Sequence, residues 1–268
     1  MKSGQAGISV GSAGPAVAKE QPLDRALAVL DAVTRAPRPV SMTDIASQCG
    51  LPVPTAHRLV AQLEERGLLK RALDSKKLVV GPGLVRLGTA ALEAALRTDL
   101  PHQILVAFAN DIGEHCQIGL RSEDAIVYVD TVQATRSQGL HFEPGRRSPL
   151  YCTSIGKLYL AEMTDPEFDR WLTHTPLKAL TPRTIVSPAK LKALVKNVRR
   201  QGWAASNEEV AAGVVGCAVP IRTREGKLLA GLGISVPSAR LAFDQLAEYR
   251  VAMESVAAQM AAALSAED

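Results

Sequence analysis

The chain has 268 residues, an apolar share of 47% and a net charge of +4. This length allows two domains with buried cores, and so small a net charge does not by itself indicate a nucleic-acid-binding protein. Residues 1–20 are rich in Gly, Ala and Ser and lack a long apolar run. We therefore expect a flexible tail, no membrane segment and a cytoplasmic protein.

The cysteines follow no metal-binding or disulfide pattern. Cys49, Cys116, Cys152 and Cys217 are far apart, and none belongs to a Cys-x-x-Cys pair or to a Cys/His ligand spacing. We expect free thiols in a reducing compartment, no metal site and no cofactor.

A helix-turn-helix pattern occupies residues 41–71. Ser41 and Asp44 have the spacing of a capping box that opens a short helix, and Gly50 ends it. A second helix can begin near residues 52–54, since proline is tolerated in a first turn. Its predicted buried face consists of Ala56, Leu59, Val60 and Leu63.

The flanking segments complete a winged helix-turn-helix. An upstream helix is predicted from the apolar stripe Leu23, Ala26, Leu27, Leu30 and Val33. A downstream hairpin is predicted from LLKR and KLVVG, with residues 73–76 as its tip. Residues 22–80 carry nine Lys/Arg and six acidic residues, a net charge of +3.

Polar side chains on the second helix and the hairpin are suited to base edges and phosphates. The candidates are Thr55, His57, Arg58, Gln62, Arg71, Lys76 and Lys77. Two amphipathic helices joined by a turn also occur in all-α domains that do not bind DNA, so that alternative stays open for this segment alone.

A linker helix is predicted over residues 82–99, after the break at Gly81-Pro82-Gly83. Its alanines suit either a dimer contact or simple packing in a core. From residue 100 the pattern indicates an α+β domain with an antiparallel sheet. Helices are predicted at 100–114, 154–163, 187–202 and 238–266. Strands are predicted within 114–132, near 139–142, and at 216–223 and 227–236. An extended segment is predicted at 180–185.

The order and spacing of these motifs resemble the IclR family of transcription regulators over residues 22–265. The first domain matches in ALAVLDAV, DIASQCGLPVPTAHRLVAQLEERGLL and VGPGLVRLG; the second matches in PLYCTSIGKLYLA, LTPRTI, VRRQGWAASNEEVAAGVVGCAVPI and GLGISVPSARL. The resemblance implies a winged helix-turn-helix at 21–81, a linker helix at 82–99 and a GAF/PAS-like effector domain with a curved antiparallel sheet at 100–268. It also implies a homodimer or dimer of dimers that binds double-stranded operator DNA and a small organic acid or aromatic effector.

The resemblance also assigns residues. Thr55 and Arg58 match the Thr-x-x-Arg of the family's recognition helix, and Ser41 and Thr43 open the preceding helix near the DNA backbone, whereas Pro54 replaces a small polar residue. The expected effector contacts are Leu140, Arg147, Ser154, Ile155, Ser206, Gly216, Gly233 and Ser235.

Physical reasoning supports some of these contacts independently. Ser154 and Ile155 begin a helix, whose free amides can receive a carboxylate, although Ser154 is equally suited to be a plain helix cap. Arg147 could clamp the carboxylate or be a solvated loop residue.

The pocket residues also depart from the family pattern. Ser206, Gly216 and Gly233 are smaller or less polar than their usual family counterparts. We therefore predict a roomier pocket that suits an aromatic acid, as in regulators of aromatic catabolism.

Two other functions are weighed against a regulator. A hydrolase could use Ser154 or Cys152 as its nucleophile, but the chain has no Gly-x-Ser-x-Gly elbow and no recognisable triad, so we do not expect an enzyme. A thiol redox sensor could use Cys152 or Cys116, with Lys157 and a helix start lowering the pKa of Cys152.

Overall fold

The computed structural model describes residues 21–73, 75–97, 99–134 and 142–265. The described residues divide into two compact units, one before and one after the boundary between residues 90 and 91, and each is described by itself. The predicted tail, Asp74 at the hairpin tip, most of the predicted strand at 139–142 and the candidate Leu140 all lie outside the described residues.

The first unit has the predicted winged helix-turn-helix architecture. Its elements are α1 (Pro22–Arg35), α2 (Met42–Gln48), α3 (Val53–Glu65), β1 (Leu69–Arg71) and β2 (Leu78–Val80), followed by the start of α4 (Pro82–Leu96). Strands β1 and β2 pair antiparallel, with Leu69 opposite Val80 and Arg71 opposite Leu78. The predicted buried face of α3 is confirmed at Ala56, Leu59, Val60 and Leu63.

The predicted apolar stripe of α1 is wrong at two positions. Leu23 and Leu27 are 67% and 53% exposed, whereas Val29 is fully buried and Val33 almost so. Helix α1 carries apolar residues around more than one face, so two overlapping stripes have helical spacing. Packing against α2 and α3 buries the stripe that contains Val29.

The second unit is an α+β domain built on a curved antiparallel sheet. Its elements are α5 (Asp99–Ile112), β3 (His115–Ser122), β4 (Ala125–Val132), β5 (Arg147–Pro149), α6 (Ser154–Glu162), α7 (Asp165–His174), α8 (Pro188–Gln201), β6 (Ala204–Asn207), β7 (Val214–Arg222), β8 (Leu228–Pro237), a 3₁₀ helix (Phe243–Tyr249) and α9 (Arg250–Ser265). Among the described residues the strand order is β5-β4-β3-β8-β7-β6.

Both faces of this sheet are covered by helices. Alternate residues of β3, among them Cys116 and Ile118, pack with α5 and α9 on one face. A separate apolar cluster joins α6, α7 and α8 to the opposite face. The intervening β3 residues, such as Gln117, therefore lie on the α6 side, because side chains of a strand alternate between faces.

Several predicted elements have different bounds in the structure. The C-terminal α-helix begins at Arg250 rather than at 238, since residues 238–241 form turns in which Ser238 N donates to Gly213 O and Arg240 pairs with the buried Glu114. Strands β5 and β6 and helix α7 were not predicted. Helix α7 does carry a start signal, because Thr164 and Glu167 form a capping box.

No helix among the described residues is both long and apolar enough to cross a lipid bilayer.

Candidate functional site

Helix α3 presents a polar face to solvent. Thr55 is half-buried, while His57, Arg58 and Gln62 are exposed. Thr55, Arg58 and Gln62 follow one another at three- and four-residue spacing, which places them along one side of the helix. A 13-residue helix is about 20 Å long, and one with such a face has the size and chemistry to enter a DNA major groove.

The Ser41 hydroxyl group forms hydrogen bonds within the domain, whereas Thr43 lies exposed to solvent. Ser41 Oγ accepts from the Asp44 amide and donates to Asp44 Oδ2 at 2.6 Å, while the Ser41 amide donates to the same carboxylate. The predicted capping box is therefore confirmed, and it holds the pKa of Asp44 below its usual value. Thr43 is exposed on the first turn of α2.

The wing is braced against α3 through Arg71. Its Nε and Nη2 bind the Glu64 carboxylate at 2.8 and 3.0 Å, and its Nη1 donates to the Lys76 carbonyl at 2.6 Å. These bonds use the guanidinium inside the domain, so Arg71 orients the hairpin. Lys76 and Lys77 are exposed at its tip, where ammonium groups can approach phosphates.

In the second unit, one row of residues crosses adjacent strands. Ser206 of β6 lies opposite Gly216 of β7, Gly216 opposite Ser235 of β8, and Ser235 opposite His115 of β3. Directly paired residues point to the same face of a sheet. Ser206, Gly216 and Ser235 were predicted as effector contacts from separate segments of the sequence. The strand pairing brings them together under the start of α6.

A small cavity of about 30 Å³ lies on this row. Its lining consists of Gln117, Tyr128, Phe142, Thr153, Ser154, Ser206, Val210, Ala211, Val214, Val215, Gly216 and Ser235. Thr153 caps α6, with its Oγ1 accepting from the Gly156 amide at 3.0 Å. The amides of Ser154 and Ile155, the first helical residues, have no carbonyl partner within the helix and carry the positive end of its dipole.

The predicted enlargement of this cavity is wrong in the structure. A side chain at Gly233 would meet Gln117 Nε2 at 3.0 Å and Ile155 Cδ1 at 3.2 Å, and one at Gly231 would meet Ile155 Cγ2 at 2.6 Å. Ile155 therefore fills the space that the glycines leave, and its buried side chain packs on the sheet. Neither Ile155 nor Gly233 lines the cavity, whose volume is close to that of one water molecule.

At Gly216 a side chain is excluded by the backbone of a neighbouring strand rather than by Ile155. The Cβ position of Gly216 lies 2.5 Å from the Ile234 carbonyl oxygen, so a side chain at this position would collide with β8.

The predicted arginine clamp is not part of this cavity. Arg147 is exposed on the edge strand β5, where its guanidinium donates to Ser122 Oγ and to the Ser122 carbonyl. Its neighbour Arg146 stacks over the Phe142 ring at 4.5 Å. Of the two roles predicted for Arg147, a carboxylate clamp or a solvated residue, the structure supports the solvated residue.

Sequence reasoning missed the apolar wall of the cavity. Phe142 stacks on Tyr128 with ring centroids 5.9 Å apart and contacts the edge of His115 at 5.2 Å. Val210 and Val214 add aliphatic surface. Period-two alternation along β3 and β4 could have assigned Gln117 and Tyr128 to one face, whereas Phe142 ends the strand predicted near 139–142, and nothing in that segment indicated which side chains face the site.

A buried ion pair supports the two sides of the cavity. Lys157 of α6 is fully buried; its Nζ donates to the Ala205 carbonyl at 2.8 Å and pairs with the Glu209 carboxylate. Thr184 Oγ1 donates to the Glu209 carbonyl at 2.7 Å. The start of α6 is thereby tied to the segment that follows Ser206.

Cys152 has the environment of a structural thiol. Its side chain is fully buried, and burial raises the pKa of the thiol to about 12. Lys157 lowers that pKa, as the sequence suggested, but the effect of burial is larger. Burial likewise raises the pKa of Cys116.

Comparison with known proteins covers both units. A family model described as the IclR helix-turn-helix domain matches residues 22–72, and one described as the C-terminal domain of the bacterial transcriptional regulator IclR matches residues 96–262. The "Probable transcriptional regulator SauR" of Cupriavidus necator is 31% identical over 222 residues, which are 83% of this chain and 88% of that protein.

Solved structures show the same fold. The crystal structure of Thermotoga maritima IclR is 30% identical, with a TM-score of 0.58 over 91% of this chain and 98% of that chain. An IclR homologue from Microbacterium hydrocarbonoxydans, complexed with 4-hydroxybenzoate, is 23% identical, with a TM-score of 0.57 over 92% of this chain and all of that chain.

Proposed function

We propose that this chain, which belongs to the IclR family of bacterial transcriptional regulators, is controlled by a small aromatic carboxylate bound at the start of α6. As a family member it is a regulator rather than an enzyme, with a DNA-binding N-terminal domain and an effector-binding C-terminal domain. The effector class, the residues that contact it and the oligomeric state are the parts we propose.

One observation carries the choice of effector: the lining of the cavity combines polar groups with aromatic rings. The polar groups are the amide-bearing start of α6 at Ser154, the Ser235 hydroxyl, and Ser206, whose Oγ donates to the Cys152 carbonyl at 2.9 Å. Such a helix start favours an anionic group. The lining also includes the rings of Tyr128 and Phe142, and a ligand ring can pack on Tyr128 once Phe142 has moved.

Binding a ring would require Phe142 to move. The cavity holds about one water molecule, whereas small-molecule sites have volumes of roughly 300–1,000 Å³. Phe142 contacts Tyr128, His115 and Arg146 through ring faces and edges, contacts that an incoming aromatic ring could make in its place. We infer that the effector displaces this side chain.

Thr55, Arg58 and Gln62 of α3 are proposed to contact base edges, with Thr43, Lys76 and Lys77 on phosphates.

Leu23 and Leu27 on α1 and Val85 and Leu87 on α4 are exposed. Contiguous exposed apolar patches mark association surfaces; we infer that these residues contribute to one and that the chain forms at least a homodimer. An effector that binds one arrangement of the dimer better then changes the spacing of the two recognition helices on a two-fold operator.

The test combines ligand-induced stabilisation with operator binding. Thermal unfolding of the full chain is followed with benzoate, hydroxybenzoates, glyoxylate and pyruvate. A ligand present at about a hundred times its dissociation constant stabilises the native state by roughly 2.7 kcal/mol. Stabilisation by aromatic acids alone supports the proposal, and stabilisation by only the two- and three-carbon acids contradicts the effector class.

Operator binding is measured with Arg58→Ala against the exposed control Arg38→Ala. We expect Arg58→Ala to weaken specific binding roughly tenfold or more, while stabilisation by the effector is unchanged. Equal operator affinity of the two variants would contradict the role of α3 Arg58.

A further inference from the structure

Gln117 is a buried amide whose oxygen has no hydrogen-bond partner in the part of the chain that the structure describes. It lies on β3 opposite Gly233 of β8 and is 3% exposed. Its Nε2 donates to Ser235 Oγ at 3.0 Å. Its Oε1 is shielded from solvent and accepts no hydrogen bond from any of the described residues.

Burial of this unpaired oxygen costs free energy unless a hydrogen-bond donor from outside the chain occupies the site. An unsatisfied carbonyl oxygen loses its bonds to water without replacement, while an apolar side chain of the same length would fill the space at no such cost. The hydrogen bond to Ser235 uses only the NH₂ end of the amide. The oxygen end is therefore available to a donor that enters the cavity, which Gln117 lines.

Two groups that line the cavity, the start of α6 and Gln117, call for different ligand groups. The amides at the start of α6 attract an anion. A carbonyl oxygen repels an anion and accepts a hydrogen bond only from a donor. A single carboxylate cannot satisfy both, so the complementary ligand carries a second, hydrogen-donating group.

We propose that Gln117 Oε1 accepts a hydrogen bond from a hydroxyl group of the effector, so that this protein selects hydroxylated carboxylic acids over their unsubstituted analogues. This inference rests on the proposed function, and it names the specificity-determining residue of the same site. A site with a buried acceptor discriminates against a ligand without the donor, because the acceptor is then left unpaired.

Isothermal titration of the full chain with matched acids tests the inference. The panel is benzoate, 3-hydroxybenzoate, 4-hydroxybenzoate and 4-fluorobenzoate, where fluorine adds bulk without a donor. We expect at least one hydroxy acid to bind about tenfold or more tightly than benzoate, and 4-fluorobenzoate to bind no more tightly than benzoate.

Gln117→Met then removes the acceptor and keeps the length of the side chain. We expect this variant to bind the preferred hydroxy acid no better than benzoate, with the affinity for benzoate maintained or increased. The control is Gln103→Met, which changes an exposed glutamine of α5 and should retain the wild-type preference. If Gln117→Met does not fold, the wild-type comparison of acids still decides.

The outcomes separate the inference from the proposal on which it rests. Equal affinity of wild type for benzoate and both hydroxybenzoates overturns the role of Gln117 and leaves an aromatic-acid effector in place. A hydroxyl preference that persists in Gln117→Met also overturns it. If none of the four acids binds, the proposed effector class fails, and the inference fails with it.

Discussion

A fully buried lysine is rare among protein side chains, and Lys157 persists in the core because Glu209 lies beside it. Burial lowers the pKa of Lys157 and raises that of Glu209, since both charged forms lose solvent, and the attraction between the two groups opposes both shifts. Glu209 Oε2 is buried without a hydrogen-bond donor among the described residues. The pair is therefore sensitive to the loss of either partner.

We expect Lys157→Met alone to destabilise the second unit by about 3–5 kcal/mol, because it leaves a buried carboxylate unpaired. The double variant Lys157→Met/Glu209→Leu should recover most of that loss, since apolar residues of similar volume can replace a buried ion pair. Urea unfolding of the wild type, both single variants and the double variant measures the coupling. A double variant less stable than Lys157→Met would contradict this account.

The buried thiols lead to a chemical prediction. Cys116, Cys152 and Cys217 are buried, and burial raises the pKa of Cys152 and of Cys217 to about 12. Cys49 is only partly buried. Because the thiolate is the reactive form, we expect an aromatic disulfide reagent at pH 8 to modify Cys49 first, and all four cysteines only in denaturant.

Cys49→Ser is the control for this experiment, and it should abolish the fast reaction. Rapid modification of Cys152 in the native protein would instead restore the thiol-sensor hypothesis.

At the scale of elements, the N-cap of α2 contributes to the stability of the first unit and to the dependence of that stability on pH. Ser41→Ala removes the hydroxyl that accepts from the Asp44 amide and donates to its carboxylate. Loss of such a cap costs about 1 kcal/mol, and chemical unfolding at pH 7 should show it. Ser47→Ala, which changes an exposed residue of the same helix, is the matched control and should have a smaller effect.

The sign of the pH dependence follows from the lowered pKa of Asp44. A carboxylate whose pKa is lower in the folded state stabilises the fold above its unfolded value, here 3.8, and loses that contribution as the pH falls through the folded value. The difference between wild type and Ser41→Ala should therefore shrink below about pH 4. A difference that is constant from pH 7 to pH 3 would show that the carboxylate plays no part.

The elements that could be predicted are those with a local signal. Helix α8 begins after Ser187, whose hydroxyl accepts from the Lys190 amide, and ends at Gly202 with φ of 81°. The sequence contains both signals. The β3–β4 hairpin follows the alternation of AIVYVDTV and turns at Glu123, which has a φ of 57°.

The elements and contacts that were missed depend on distant residues. Strand β5 has three residues and exists because Arg147 pairs with Val127 and Pro149 with Ala125. The packing of Ile155 against Gly231 and Gly233 likewise arises only after α6 lies on the sheet. A glycine read from the sequence as empty space was in fact the site of a close contact.

At the scale of the whole molecule, the two units have separate cores. The apolar cluster around Val29 and Ile45 is formed by residues of the first unit, whereas the clusters on the two faces of the large sheet belong to the second. Because these last two clusters share the sheet, we expect them to unfold together. The full chain should therefore show two unfolding transitions, which a single free energy of unfolding does not describe.

Paired perturbations can assign these transitions. An effector bound on the α6 side of the sheet stabilises only the state in which the second unit is folded, so saturating ligand should raise the midpoint of that transition and leave the other unchanged. Ser41→Ala should do the reverse by lowering only the midpoint of the first unit. Differential scanning calorimetry of wild type and Ser41→Ala, each with and without the acid, gives four traces. If ligand and substitution move both transitions together, the units unfold as one cooperative body, and their separate cores do not set the stability of the chain.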